Sequence, residues 1–409
     1  MPFRLPAARL RGLSLILLTA CPAATAAAQT APVRLTEAQA IERALRDPDF
    51  SAGAAARIDA ARAEARSITR FDNPSVSARR GEISGPAQDE VETEIGLVQP
   101  FDLAGRRSAL RAAAGAEANA VEAEMTRKAQ ERRAEVRRAY AGCAVATETA
   151  ALKRTLVSRL AAAERIVAAR AGAGDTAVYD LRRVRVEGRS AAAEADLAEG
   201  EAASACMALE SLTRTPGARP DGPPVAPAST AVARAPRSDL AAREQRLEAA
   251  DFAVRAAERS RIPELEVGLG WRRLEVASLE ADGPQISVGA TIPLFDRGSA
   301  RVAAARARQK AEAAELALAR RQIEAETAAA QARSDAAARA LASSRSARDD
   351  AARLGQIAET AYEAGETGVT ELVDAYRAAH DAELSTLELT GRAIQAAIEL
   401  ELAQGGPTP

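Results

Sequence analysis

The chain has 409 residues, of which 27% are charged and only 3% aromatic, and its formal net charge is −2. So few aromatic side chains cannot fill a large ordinary core, whereas this content of Ala, Glu and Arg is typical of long helices and coiled coils. The small net charge indicates no nucleic-acid partner. One histidine and three cysteines leave no zinc or haem constellation, and we find no nucleophile, acid–base pair or phosphate loop. We therefore expect no cofactor and no enzyme.

The first 28 residues carry the pattern of an export signal. Arginines precede a short apolar run at residues 13–18, and the alanines at 26–28 are typical of a signal-peptidase site. We predict a signal peptide over residues 1–28. The stretch LTAC also fits a lipobox, in which Cys21 would become a lipidated N-terminus, and this alternative stays open. No other apolar run reaches the ~18–20 residues of a membrane helix, so the exported chain either stays soluble or enters a membrane as strands.

Residues 29–214 predict a helix, two short strands and a helical hairpin. A capping box at residues 36–39 begins a helix that runs to about residue 69. Apolar and polar residues then alternate in two strands, and Pro100 ends the second. The long stretch that follows contains no proline, which predicts a helical rod of roughly 100 Å. The predicted strands are 75–83 and 90–99, and the predicted hairpin is 104–212, with its turn at Gly172 and Gly174.

The second half of the chain repeats this order after a linker. Residues 215–236 are rich in Pro, Gly and Ala, which predicts a linker between the halves. Residues 237–404 follow, and their segment 364–372 corresponds to segment 173–181. A repeat of this length is a duplicated half-protein and not a solenoid unit. The second half has predicted strands at 264–273 and 284–293, a hairpin at 298–403 that turns at Gly365 and Gly368, and a disordered tail at 405–409.

The first strand of the second half has the clearest alternation, with Leu265, Val267, Leu269 and Trp271 on one face. About ten residues is the length that crosses a bilayer when a strand is tilted, so we expect this face to contact lipid. Four strands cannot close a barrel, and open edges are not tolerated in lipid. Three copies would supply twelve strands, and four rod-length helical arms per copy would form a hollow cylinder. The alternatives are a soluble β-layer that caps a helical bundle, and a solid coiled-coil stalk.

Three motifs resemble the TolC family of outer-membrane efflux proteins. QPFDLAGRR at residues 99–107 and IPLFDRG at 292–298 resemble the segments that follow the second strand of each half in the CzcC-like branch. YEAGETGVTELVDA at residues 362–375 resembles the periplasmic hairpin tip of the family. The resemblance covers nearly the whole mature chain.

The resemblance implies a mainly α fold with a small β part, in which a homotrimer forms a twelve-stranded outer-membrane β-barrel on a long α-helical periplasmic barrel. It implies the exit duct of a tripartite efflux or secretion system, which conducts substrates passively. The implied partners are a periplasmic adaptor, an inner-membrane pump and outer-membrane lipid. The substrate is not implied. The alternative function is a periplasmic coiled-coil adaptor or scaffold, which would normally have one hairpin flanked by many strands.

The spacing of two cysteines predicts a disulfide. Cys143 lies 31 residues before Gly174, and Cys206 lies 32 residues after it. An antiparallel hairpin that turns at Gly174 therefore brings the two cysteines side by side, and the periplasm is oxidising. The alternative is two small buried side chains that face different neighbours.

Two acidic residues are candidates for the periplasmic aperture. Glu371 and Asp374 are three residues apart, so both carboxylates lie on one helix face just past the Gly365 turn. Both match acidic positions of the family's hairpin tip, which implies a ring of six carboxylates in a trimer. The alternative is an ordinary solvated acidic face near a helix N-terminus. The single histidine, His380, is expected on the helix surface.

Overall fold

The computed structural model describes residues 32–86, 89–174, 177–227, 236–277 and 279–406. The predicted signal peptide and Cys21 lie outside these residues. The helices are α1 (Glu37–Leu45), α2 (Pro48–Ser67), α3 (Arg106–Ala173), α4 (Val178–Thr213), α5 (Ser238–Arg259), α6 (Ser299–Glu363) and α7 (Val369–Ala403). The strands are β1 (Val33–Leu35), β2 (Ser75–Ser84), β3 (Asp89–Phe101), β4 (Ala218–Pro220), β5 (Glu264–Val276) and β6 (Leu279–Thr291). The predicted fold class, mainly α with a small β part and a duplicated order of elements, is confirmed.

The predicted first helix is divided into α1 and α2. Its start is as expected, because the Gln39 N–H donates to Thr36 Oγ1 at 3.3 Å and the Thr36 N–H donates to Gln39 Oε1 at 3.0 Å. The prediction of one continuous helix is wrong, since Pro48 lacks the N–H that a helix interior needs and instead begins α2. The side chain of Asp47 caps this second helix by accepting the Asp49 N–H at 2.9 Å.

The strands β2, β3, β5 and β6 form one antiparallel sheet in that order. Leu97 lies opposite Leu269, and this register keeps side chains of like polarity on one face. Both strands of the second half have 13 residues and are longer than predicted. Pro100 does not end β3 but lies opposite Glu266. A proline is tolerated there because it removes only one backbone donor near the end of the strand.

The strands approach one another closely where glycines face each other across the sheet. A Cβ atom at Gly270 would lie 2.8 Å from the carbonyl oxygen of Ile95 and 3.4 Å from Cα of Gly96. Both are backbone atoms, which cannot rotate away as a flexible side chain can. Gly283 lies in the same sheet and has no atom within 4 Å of the corresponding position. The contact between β3 and β5 therefore depends on glycine at position 270.

Four columns of helix lie side by side below the sheet. The continuous columns are α3 and α6, with 68 and 65 residues, and each is about 100 Å long. The helices α4 and α7 have only 36 and 35 residues. Two of the four predicted rod-length arms are therefore not single helices, because the chain leaves these two columns halfway.

Shorter helices complete the two interrupted columns. Arg214 at the end of α4 pairs with Asp47 at the start of α2 at 3.2 Å, so α2 follows α4 in one column. Thr327 of α6 donates to the carbonyl oxygen of Ala403 at the end of α7, and Arg237 at the start of α5 contacts the same turn of α6. α5 therefore follows α7 in the other column. The column order across the chain is α2/α4, α3, α5/α7, α6.

The first part of the predicted linker is ordered structure. Strand β4 pairs in parallel with β1, Ala218 is fully buried, and the Asp221 N–H donates to the Leu35 carbonyl oxygen at 2.9 Å. The linker prediction for 215–236 did not include this pairing, because composition alone does not reveal a distant partner such as β1. Residues 228–235 of the predicted linker lie outside the described residues.

The predicted disordered tail begins too early. Gly405 and Gly406 have φ angles of 104° and 58°, which glycine adopts without steric cost. The Gly406 N–H donates to the Glu401 carbonyl oxygen at 2.9 Å, so the two glycines close the last turn of α7. Both are buried. Residues 407–409 lie outside the described residues.

The apolar core is divided along the helices into separate clusters. One cluster lies at the far end of the hairpins, and another lies at mid-height, where β1, β4 and α1 contact α3 and α4. Ala is the commonest buried residue between them, which lets helices approach closely and explains why so few aromatic residues suffice. The largest fully buried side chains are Leu35, Leu160, Leu209, Leu372 and Ile398.

Replacing Gly270 with Ala should destabilise the sheet by about 1–3 kcal/mol, since overpacking against fixed backbone forces strands apart. Gly283→Ala is the matched control, because open space surrounds that position. Thermal unfolding followed by circular dichroism measures both variants, and only Gly270→Ala should lower the midpoint. Equal midpoints for the two variants would contradict the close approach of β3 and β5.

Candidate functional site

One face of the sheet carries apolar side chains across all of its strands. Val76, Leu97, Leu269 and Ile286 lie in one row, from β2 to β6. Leu269 is 60% exposed and Ile286 is 74% exposed. A contiguous exposed apolar surface marks contact with a membrane or with another protein. The predicted lipid-facing residues all lie on this face: Leu269 and Trp271 are exposed, and Leu265 and Val267 are half-buried.

The opposite face of the sheet is polar and has small side chains. Ser77, Gly96, Gly270 and Gln285 form the row behind the apolar one. One turn of the pleat away, Arg272 of β5 pairs with Glu92 of β3 at 2.6 Å. A sheet with these two faces has the character of a wall between lipid and water.

Both outer strands of the sheet have one unpaired edge. Within the described residues, β2 pairs only with β3, and β6 pairs only with β5. A free edge presents a row of backbone donors and acceptors that can pair with another strand. The sheet therefore offers two edges at which further strands could pair.

Part of the chain resembles a known protein family in sequence. Residues 231–406 match the family described as outer membrane efflux protein. These residues make up most of the second half of the chain, which is therefore similar in sequence to outer membrane efflux proteins. No curated protein sequence matches it.

Solved structures share the fold of this chain over nearly its whole length. A membrane protein from Pseudomonas aeruginosa is 22% identical with a TM-score of 0.76, and the match covers 92% of each chain. VceC from Vibrio cholerae is 21% identical with a TM-score of 0.76, and the match covers 91% of this chain and 97% of VceC. CusC is 19% identical with a TM-score of 0.78, and the match covers 92% of this chain and 93% of CusC. These likenesses extend the shared fold to the first half, which the family match does not cover.

The outer membrane efflux protein family consists of passive ducts and not of enzymes. In the described parts of the chain, no three His, Cys, Asp or Glu side chains gather in a way that could hold a metal ion. None of the described helices is both long and apolar enough to cross a membrane. The functional parts of a duct are its wall and its two ends, and the helical end of this chain has a distinctive geometry.

The two helical hairpins turn at glycines in the left-handed conformation. Gly174 has a φ angle of 85° and Gly365 has a φ angle of 79°, values that other residues rarely adopt. The other two predicted turn glycines behave differently. Gly172 lies inside the last turn of α3, and Gly368 precedes α7 with an extended backbone. Residues 175–176 of the first turn lie outside the described residues.

Polar contacts join the two hairpins near these turns. Arg170 of α3 donates to the carbonyl oxygen of Tyr362 at 3.4 Å, and its guanidinium carbon lies 4.7 Å from the centroid of the Tyr362 ring. Arg377 of α7 pairs with Glu187 of α4. The ends of the two duplicated halves are therefore held together by charge as well as by the apolar cluster beneath them.

The predicted aperture residues lie on the exposed side of α7. Glu371 and Asp374 are both exposed, whereas Leu372 and Val373 between them are buried. Asp374 lies 3.6 Å from Arg183 of α4, which occupies the equivalent position in the first half. Glu371 makes no ion pair with any of the described residues. The two carboxylates share a face, but one of them has a cationic neighbour.

Cys143 and Cys206 are joined by a disulfide, and their Cα atoms are 4.6 Å apart. Both are fully buried in the mid-height cluster, beside Val136 and Leu209. The bond ties α4 to α3 near the level at which the α4 column is interrupted. Beyond it, the α3/α4 hairpin extends about 30 residues to its turn, a reach of about 45 Å.

A half-buried arginine that sequence inspection missed joins three helices at mid-height. The Arg137 side chain of α3 is 14% exposed and pairs with Glu37 of α1 and Glu401 of α7. Burial favours a lower pKa for Arg137, but the hydrogen bond to Glu401 and the charge of Glu37 together raise the pKa above its ordinary value. Since the two carboxylates come from opposite ends of the chain, no local pattern could have revealed the group.

His380 is buried, and its expected place on the helix surface is wrong. Only 6% of the residue is exposed. Burial lowers the pKa of His380 below its ordinary value of 6.5, and the positive charge of Lys153 lowers it further. The negative charges of Asp381 and Glu383 act in the opposite direction but do not cancel the effect of burial. The folded chain therefore favours the neutral form of the His380 imidazole.

Replacing both Cys143 and Cys206 with Ser should lower the free energy of unfolding by about 2–4 kcal/mol, since the bond restricts the unfolded chain. Urea denaturation of the full chain in detergent, followed by circular dichroism, measures the loss. A reductant should lower the free energy of unfolding of the wild-type protein to that of the double variant, and it should not change the free energy of unfolding of the variant. Alkylation of both cysteines in the wild-type protein without reductant would contradict the bond.

Acid should weaken the fold through His380. Its folded pKa lies below 6.5, so its contribution to stability is complete above that pH and is lost as the pH falls through the folded pKa. The loss is about 1.4 kcal/mol for every tenfold difference in proton affinity between the folded and unfolded chain. His380→Gln keeps a neutral polar side chain at every pH. The drop in unfolding midpoint from about pH 7.5 to about pH 5 should be smaller in this variant. Equal drops would show that His380 does not carry the effect.

Proposed function

We propose that this chain is one protomer of an outer-membrane exit duct, which passively conducts substrates from an inner-membrane pump across the periplasm and the outer membrane. One observation carries the proposal. A sheet with one apolar and one polar face continues directly into helices of about 100 Å. The match of the second half to outer membrane efflux proteins supports the same function. The match over nearly the whole chain to CusC, which forms a transmembrane channel, disfavours the alternative of a coiled-coil adaptor.

The duct is a homotrimer in this proposal, because the four-stranded sheet needs partners for both edges. In lipid an unpaired backbone edge has no water to bond to. If β6 of one copy pairs with β2 of the next, three copies close a barrel of twelve strands, an even number within the known range.

The helical edges fit the same closure. The column order leaves the α2/α4 column and the α6 column at opposite edges of the chain. The edge helix α4 exposes Tyr179, Val186 and Leu197, which are 65–70% exposed, and α6 exposes Ile357. These apolar side chains would be covered when α6 of one copy meets α4 of the next. The same ring that pairs the strand edges thus buries the helical edges.

The hairpin tips form the periplasmic aperture in this proposal, and the implied partners are a periplasmic adaptor and an inner-membrane pump. Glu371 and Asp374 of three copies would converge there as an acidic ring. Rings of carboxylates favour cations and hold divalent ions. The CzcC-like branch remains a prediction from the motifs, and it leaves the substrate open.

Val267→Arg should weaken the assembled barrel by roughly 2–4 kcal/mol if the residue lies near the bilayer midplane, because the charge would face lipid. Ser287→Arg is the control, since position 287 lies on the polar face. Light scattering in detergent should give the mass of three chains for the wild type and the control, with less trimer for Val267→Arg. The single tryptophan, Trp271, should be quenched by brominated lipids in vesicles. A well-folded wild-type monomer would overturn the proposal.

The double variant Glu371→Gln, Asp374→Asn should lose cation selectivity and block by divalent ions in planar bilayers, because the ring would lose its charge. Glu366→Gln removes a carboxylate from the same tip and should keep both properties.

A second control separates charge from contact at the aperture. Asp374→Asn also removes the ion pair with Arg183, whereas Arg183→Gln removes the pair and keeps the carboxylate. The Arg183 variant should retain block by divalent ions. If the double variant conducts and selects like the wild type, the aperture role of these two carboxylates is wrong, although the duct could still exist.

A further inference from the structure

Arginines are concentrated where the sheet meets the helices. Four segments make these connections, and we call them together the junction belt: residues 69–73, 101–107, 259–264 and 292–301. They lie between α2 and β2, β3 and α3, α5 and β5, and β6 and α6. The belt contains seven arginines and only four carboxylates, so three positive charges per chain are not balanced within it.

The surplus is visible in the contacts of the individual arginines. Within the described residues, Arg70, Arg261 and Arg297 form no ion pair, and all three are exposed. Arg259 donates to the carbonyl oxygen of Gly105 at 2.7 Å and forms no ion pair with these residues either. The belt therefore offers cationic groups without a carboxylate of the same chain.

The opposite end of the strands has the reverse charge. Segments 80–90 and 274–282, which connect β2 to β3 and β5 to β6, contain six carboxylates and one arginine. An anion would thus be attracted to the helix side of the sheet and repelled from the other side. The surplus in the belt is a local feature, since the whole chain has a net charge of −2.

A cavity of about 420 Å³ opens in the belt, between the ends of β5 and β6 and the starts of α3 and α6. Arg106, Arg259 and Arg301 line it, together with the carboxylates of Asp102, Glu264 and Asp296. Arg106 donates to Glu264 at 3.0 Å, but its Nε atom is buried and has no partner in the described structure. Arg301 pairs with Asp296 at 2.9 Å. In the cavity, the guanidinium of Arg259 therefore has no carboxylate partner among the described residues.

Exposed apolar side chains surround this charged cavity. Leu294 is 65% exposed and Phe295 is fully exposed, and both line the cavity. Elsewhere in the belt, Phe71 and Leu103 are also exposed. Arginine beside exposed apolar and aromatic groups is the composition of a membrane interface, where the charge reaches phosphate and the apolar part contacts acyl chains. Free phosphate would use only the arginines.

We infer that the cavity lined by Arg106, Arg259 and Arg301 binds the phosphate of an anionic phospholipid headgroup at the helix side of the membrane. The inference rests on the proposed function, because a headgroup reaches the belt only if the sheet lies in lipid. The guanidinium fork matches phosphate oxygens in bidentate geometry, the unpaired Arg261 and Arg297 add attraction, and Leu294 and Phe295 contact the start of the acyl chains.

Native mass spectrometry of the full chain tests the inference. The delipidated protein is mixed with equal amounts of phosphatidylglycerol and phosphatidylcholine, and the retained lipids are counted. The belt variant carries Arg259→Gln, Arg261→Gln and Arg297→Gln, which leaves the ion pairs of Arg106 and Arg301 intact. The control carries Arg339→Gln, Arg345→Gln and Arg353→Gln, which remove the same charge from exposed positions of α6.

The wild type and the control should retain phosphatidylglycerol over phosphatidylcholine, and the belt variant should lose that preference by about tenfold or more, because each arginine near a membrane surface contributes roughly fivefold. Inorganic phosphate should not displace the lipid. Equal losses in both variants, no preference in the wild type, or displacement by inorganic phosphate would each overturn the inference. Planar-bilayer conductance of the same samples separates the two proposals, since a conducting wild-type trimer without lipid preference leaves the duct standing and removes only the lipid site.

Discussion

The hydrogen-bonding requirement of a strand edge is the constraint on which the rest of this molecule depends. The four-stranded sheet ends in two strands that are each paired on one side only within the described residues. Its exposed apolar face suits lipid, where an unpaired edge costs several kcal/mol per backbone group. Only further strands can remove that cost, and copies of the same chain carry the matching edge. Because each outer strand leads into a helical column at the same edge, closing the strands also brings the helical edges together.

The cross-links within one chain are strongest at mid-height. There a disulfide, a buried apolar cluster and Arg137 with its two carboxylates join α1, α3, α4 and α7. At the hairpin tips the links between the halves include exposed pairs such as Arg183 with Asp374, and exposed pairs contribute only about 0–1 kcal/mol each. The tips are therefore the more easily rearranged end of the helices, and the mid-height region is the fixed end. An aperture at the tips would lie at the end where rearrangement costs least.

Sequence reasoning succeeded where a pattern repeats every few residues. Alternation placed Leu265, Val267, Leu269 and Trp271 on one face, and the structure puts all four on that face. Sequence reasoning failed where a single residue decides whether a helix or strand continues. Pro48 interrupts a helix that periodicity alone would continue, and Pro100 remains inside a strand that it was expected to end. The short strand β4 was not predicted from the sequence, because three residues are too few to show a period and the strand depends on a distant partner.

By itself the sequence determined the duplicated order of elements, the two long helices, the two faces of the strands and the family resemblance. These follow from local periodicity and from motifs, which are properties of residues close together in the chain. Only the tertiary structure decided that two columns consist of stacked shorter helices, that His380 is buried, that Arg183 faces Asp374, and that arginines from four connections surround one cavity. Each of these depends on groups far apart in sequence, whose approach is set by packing and charge between elements and leaves no periodic signal within any of them.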